Sequence, residues 1–139
     1  MSFEKELNFL EKNENQDKLI NNKIRSTVSE INHLKESYPN LPNDFFDYLL
    51  EVGSGNIMES QFKVMNVLFD FNDLGLEGIY YLPDNIKLFG DNYSGDFAGF
   101  DILSNKDEVI EFWHDSNELH YTGKTFRKYI REKILMEEI

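Results

Sequence analysis

Acidic and hydroxyl side chains crowd one short stretch of the chain, Phe89–Ile102, which reads "FGDNYSGDFAGFDI". Residues of these types could build a phosphate-binding loop, a calcium loop or an irregular acidic metal centre. Gly90 and Gly95 stand five apart, as in a phosphate loop, but Asp96 and Phe97 occupy the places where Lys and Ser or Thr are needed. With no lysine to neutralise the β- and γ-phosphates, Asp91 and Asp96 would repel them, so nucleotide binding is rejected. Asp91, Asn92, Ser94 and Asp96 offer oxygens for calcium. An EF-hand loop begun at Asp91 fails, because Tyr93 and Gly95 fall on ligand positions, Asp96 on the glycine position and Ile102 on the glutamate position. An irregular metal site on Asp91, Asp96 and Asp101, of the kind a metal-dependent hydrolase uses, is left open as an outsider. The competing reading is a tight acidic turn between two strands, with no ligand.

His114 and His120 flank "DSNEL" and raise zinc, which needs three or four converging ligands. A tight turn at Ser116–Asn117 would pair the Trp113 strand with one carrying His120, and strand alternation would then point His114 to the opposite face. Such histidines cannot share a metal. His33 falls on the polar side of a helix. The chain has no cysteine and no G-x-S-x-G elbow, so no activated nucleophile stands out. Its 26 acids make chance carboxylate pairs uninformative without geometry. No catalytic, cofactor-binding or metal-ligating residue is assigned. Trp113, the only tryptophan, is either core or an exposed interface anchor, and its strand-face neighbour Glu111 keeps the second reading in play.

The charge that surrounds these residues is strongly uneven. Residues 70–123 hold twelve acids and two bases, a balance of −10, out of −12 for the whole chain. Residues 1–69 carry eleven acids and seven bases, and 124–139 carry three and five. A field of that sign repels nucleic-acid phosphate and anionic lipid and attracts basic proteins or cations. The 139 residues, 40% hydrophobic and 14% aromatic, suffice for one domain over 1–139 with its own core. The lack of cysteine, the lack of a bilayer-length apolar run and the acidic start "MSFEKELNFL" together lead us to expect a soluble, unexported, cytoplasmic protein.

The elements that must position the site alternate in period along the chain. Phe3, Leu7 and Leu10 recur at helical spacing, and the polar "EKNENQDK" that follows reads as a loop. Thr27 with Glu30 fits a capping box, opening a helix whose apolar stripe is Val28, Ile31, Leu34 and Tyr38. Pro39 ends that helix. Pro42 then suits the first turn of the next, where Phe45, Tyr48, Leu49 and Val52 form one face and Gly53 is placed as a left-handed cap. Beyond Gly55 the period shifts towards two, with strand-like runs at 62–69, 78–82, 86–89, 97–102 and 109–113 separated by Gly, Asn, Asp and Pro. In the last run Ile110 and Phe112 share one face, and Val109, Glu111 and Trp113 the other. Phe126, Ile130 and Ile134, with Tyr129 beside them, close the chain as an amphipathic helix. The expected class is α+β, with N-terminal helices and a C-terminal helix packed on one face of a mainly antiparallel twisted sheet whose other face is partly open.

Four motifs in this order, "LPNDFFDYLLEVGSGN", "IKLFGDNYSGDFAGFDI", "VIEFWHD" and "TFRKYI", resemble the SUKH superfamily, which includes the fungal Smi/Knr cell-wall synthesis regulators and many bacterial immunity proteins. The likeness covers residues 27–134, with segment 70–85 outside the pattern. It implies a protein-binding domain without catalytic activity or cofactor. In bacterial members the implied partner is a cognate toxin, which the protein binds and blocks; the alternative is a regulator or scaffold that binds an endogenous protein or peptide. Leu41, Pro42, Phe45, Gly53, Gly95, Asp96, Phe100, Trp113 and Phe126 match the motifs, mostly as fold-making positions. The acidic region supplies the candidate partner contacts: Asp91, Tyr93, Asp96, Glu111, Trp113 and Asp115. Many toxins that act on nucleic acid have basic substrate grooves, and an acidic face can occupy one.

Overall fold

The computed structural model describes residues 2–136. Three helices, α1 (Glu4–Asn13), α2 (Val28–Ser37) and α3 (Asn43–Glu51), precede six strands, and α4 (Phe126–Lys133) follows them. The strands are β1 (Gly55–Ile57), β2 (Phe62–Phe69), β3 (Ile86–Asp91), β4 (Phe97–Asp101), β5 (Ile110–Trp113) and β6 (Glu118–Tyr121). They form one antiparallel sheet in chain order, so each strand pairs with its sequence neighbours. The α+β expectation holds.

Local signals explain the helix ends. Thr27 Oγ1 accepts from the Glu30 N–H at 3.1 Å while Glu30 Oε1 accepts from the Thr27 N–H at 2.9 Å, completing the expected capping box. Ile31 and Leu34 bury the stripe of α2, but Val28, at its first position, faces solvent. Pro42 caps α3 from outside rather than sitting in its first turn, and it is buried beside Leu41. At the other end Gly53 adopts φ +106°, and a Cβ there would lie 2.6 Å from the Ile24 carbonyl carbon. The chain from 22 to 26 crosses at this point and pairs Ile24 with Ser54. The stretch 11–18 is not wholly loop, since α1 continues to Asn13.

The main core lies between the helices and one sheet face. Phe45, Phe89, Phe100 and Phe126 pack within 6.1 Å of one another, centroid to centroid, with Phe89 and Phe100 stacked at 4.9 Å. Burying each ring contributes on the order of 2 kcal/mol. Phe3, at the N-cap of α1, and Leu10 within it join the same core, so the first helix is integral to it. Buried Glu6 fixes α1 to α4 by bonds from Arg131 at 2.9 Å and Arg127 at 3.1 Å, and Arg127 also reaches Asp44 of α3.

The second sheet face is covered over its middle strands, while Tyr121 of β6, on the same face, stays exposed. Residues 78–82 are not a strand: hydrogen bonds from Leu76 to Phe71 and from Ile79 and Tyr80 to Leu76 fold the segment into turns. Its apolar residues pack instead of pairing. Phe71, Leu76, Tyr80 and Leu82 lie against Phe69, Leu88 and Phe112, with Phe71 and Phe112 centroids 4.8 Å apart. The segment outside the motif pattern is therefore the lid of the Ile110–Phe112 face.

Candidate protein-binding site

The Asp91–Asp96 turn spends its oxygens on its own backbone. Asp91 Oδ1 accepts from the Tyr93 N–H at 2.9 Å, and Asn92 Oδ1 accepts from the N–H groups of Ser94 and Asp96 at 2.9 and 3.2 Å. Tyr93 and Gly95 hold positive φ, +64° and +95°, which lets the chain reverse between β3 and β4. Tyr93 is half exposed, and its hydroxyl donates to Asn56 Oδ1 of β1. Asp101, the third member of the open metal reading, caps the Leu103 N–H at 3.0 Å. Among the described residues no three His, Asp or Glu side chains are grouped to hold a metal ion.

Asp96 works across the sheet. Its Oδ1 accepts from the His114 N–H at 3.0 Å and meets His114 Nδ1 at 2.7 Å, while His114 Nε2 lies 2.8 Å from Asp115 Oδ1. The imidazole passes over Gly95, where a Cβ would come within 2.9 Å of Nδ1. This contact, as well as the positive φ, demands glycine. The Asp96 hydrogen bond and the charges of Asp115 and Asp96 hold the His114 pKa above its ordinary 6.5. Burial would push the Asp96 carboxyl up, but its His114 and Asn92 bonds outweigh burial and leave it lowered.

A second group lies on the helix-side face of β5 and β6. Tyr129 of α4 donates to Glu111 Oε2 at 2.7 Å, and the Trp113 indole N–H donates to Glu111 Oε1 at 3.3 Å. Trp113 is 42% exposed, resolving the choice between core and surface towards a half-exposed ring. His120 stacks on it with centroids 3.5 Å apart. The hairpin register is two residues off the tight-turn expectation, with Trp113 opposite Glu118 and Glu111 opposite His120. A shift of two preserves facing, so His114 and His120 still diverge.

The candidates thus divide. Asp96 and Asp115 meet through His114, Glu111 and Trp113 meet directly, and Asp91 and Tyr93 hold the turn at the β1 side. Sequence reasoning set His114 aside because it could not share a metal with His120, and it missed Glu118 altogether. Asp115 beside His114 was the one local signal, since the Asp96 partner lies 18 residues away. Among the described residues no helix is long and apolar enough to cross a membrane.

No curated protein and no solved structure matches the chain. A family model does, over residues 26–132, which runs from the capping box of α2 through the sheet and into α4. With most of its length and every element of the candidate site inside that span, the chain belongs to the SMI1 / KNR4 family (SUKH-1).

Proposed function

We propose that this chain is a non-enzymatic, cytoplasmic immunity protein that binds a cognate bacterial toxin and blocks it stoichiometrically through an acidic surface. Family membership supports a role exerted through protein–protein contact. The observation that carries the finer reading is the −10 balance of residues 70–123, which span the 70–85 lid segment, β3 to β6 and the turns between those strands. Asp91, Tyr93, Asp96, Glu111, Trp113 and Asp115 are the proposed contacts, with exposed Asp115 and Tyr93 at the rim. Such a surface suits a basic groove, raises the encounter rate and disfavours partners of like charge.

Co-expression with a panel of toxins tests the proposal: growth should be rescued from one toxin and not from its relatives. Asp91→Lys with Asp115→Lys should weaken that rescue well beyond Asp91→Asn with Asp115→Asn, which keeps a side-chain acceptor at both turns and serves as the stability control. The association rate with the matched toxin should fall steeply with added salt. Rescue from none of the toxins, or a rate indifferent to salt, would count against the reading.

A further inference from the structure

We infer that Trp113 is the stacking platform for an arginine guanidinium of the partner protein, bracketed by the carboxylates of Glu111 and Glu118. Glu111 faces His120 and Trp113 faces Glu118, and strand alternation places all four side chains on one sheet face. They form a square with carboxylates on one diagonal and rings on the other. The two rings stack at 3.5 Å with 23° between their planes, so His120 covers one indole face and holds the ring. His120 Nε2 is shut off from solvent with no hydrogen-bond partner, which commits that ring to packing. With that stack in place Trp113 still keeps 42% of its surface open to solvent.

Glu111 is fixed from both sides by neutral donors, the Tyr129 hydroxyl at 2.7 Å and the indole N–H at 3.3 Å. These leave its charge intact, and each carboxylate oxygen keeps a further lone pair. Glu118 is exposed on the edge strand β6. A flat π-surface with a carboxylate on either side matches a guanidinium, which is planar, weakly hydrated and forked in its N–H donors. A lysine ammonium satisfies the charges but gains less from the flat face. Tryptophan and arginine are also the residues that carry most energy at protein interfaces. The charge of residues 70–123 selects a basic partner segment in the same sense. The inference rests on the reading of this protein as a binder of a basic partner, and it adds the residue class that the partner must present.

Trp113 is the only tryptophan, so intrinsic fluorescence reports on this one site. The probes are a blocked peptide of alternating glycine and arginine and its lysine counterpart, titrated into the full chain and into Glu118→Gln. The expected result is a saturable fluorescence change with the arginine peptide bound about fivefold more tightly than the lysine one, and a loss of about fivefold in Glu118→Gln. Equal affinities, or an unchanged response in Glu118→Gln, would overturn the platform. Toxin co-expression separates the two readings. A flat titration with specific rescue removes the platform and keeps the immunity role. A saturable, arginine-selective titration without rescue from any toxin removes the immunity role and keeps the platform.

Discussion

Asp96 holds His114 twice through one oxygen, taking the backbone N–H at 3.0 Å and meeting ring Nδ1 at 2.7 Å. Since Asp96 belongs to the β3–β4 turn and His114 begins the β5–β6 turn, the contact locks together two loops at one end of the sheet. Asp115 engages the other ring nitrogen, so a protonated His114 lies between two carboxylates. Three of the charged residues in this region are therefore coupled rather than independent.

That coupling sets a pH dependence. The His114 pKa is raised above 6.5, so its stabilisation is fully present below 6.5 and fades as pH climbs through the raised value. The Asp96 pKa is lowered from 3.8, so its contribution is present above 3.8 and fades as pH falls through the lowered value. The pair stabilises most between those limits. Wild-type melting temperature should drop from pH 6 towards alkaline pH more than that of His114→Gln, and ring resonances of His114 should titrate above 6.5. Titration at or below that value would remove the clamp.

The β1–β2 turn depends on residues far away in sequence. Met58, Glu59 and Ser60 all hold positive φ, 47°, 53° and 76°, which is costly for side-chain-bearing residues. Buried Glu14 accepts the Met58 N–H at 2.7 Å and pairs with Lys23 at 2.5 Å, while buried Asn21 accepts the Glu59 N–H at 2.9 Å. Glu14→Ala removes the acceptor and leaves the Lys23 ammonium without its counter-ion, with only the Asn21 carbonyl at 3.0 Å, for a loss of about 3 kcal/mol in urea unfolding. Glu59→Ala, at an exposed side chain, should cost under about 0.5 kcal/mol. Similar values for the two would show that the turn stands without Glu14.

What the sequence made legible was what sits close together in the chain. The Thr27–Glu30 box and the Gly53 stop are contiguous signals, and the period-two runs of β2 to β5 each carry their own pattern. β1 has only three residues, too few for a period to register. The run Ile79–Leu82 has strand composition, yet whether Tyr80 pairs or packs depends on Phe112 being free to receive it. Glu14 looked like a loop acid because its Met58 partner lies 44 residues on. The candidate site was legible as a charge balance, while its division into a His114 clamp and a Trp113 group depended on strand order.

Gly53 offers a test of the helix stop. Its φ of +106° disfavours any side chain, and the Ile24 carbonyl carbon 2.6 Å from the Cβ position is backbone that cannot step aside cheaply. Gly53→Ala should therefore lose about 2 kcal/mol or more. Gly78→Ala, where an added Cβ meets nothing within 4 Å, serves as the control and should be near neutral. Equal stability of the two variants would mean that α3 and the 22–26 crossing are packed less tightly than the distances state.

Tyr129 packs against Phe62 and Phe89 while its hydroxyl holds Glu111 at 2.7 Å. Burial and the Glu111 hydrogen bond push the Tyr129 hydroxyl far above its ordinary range, so it is a donor throughout physiological pH. Tyr129→Phe keeps the ring contacts and removes only that donor. The expected cost is about 2 kcal/mol, the net worth of one buried hydrogen bond to a charged group. A purely structural role ends there. If Tyr129 also fixes the face on which Trp113 is presented, freeing Glu111 loosens the indole N–H bond at 3.3 Å as well. Trp113 emission should then shift to the red with rising quenching by iodide, while Phe89 and Phe126 keep the core intact. A variant that loses stability with Trp113 emission unchanged would place Tyr129 in the core alone and leave the indole held by its stack on His120.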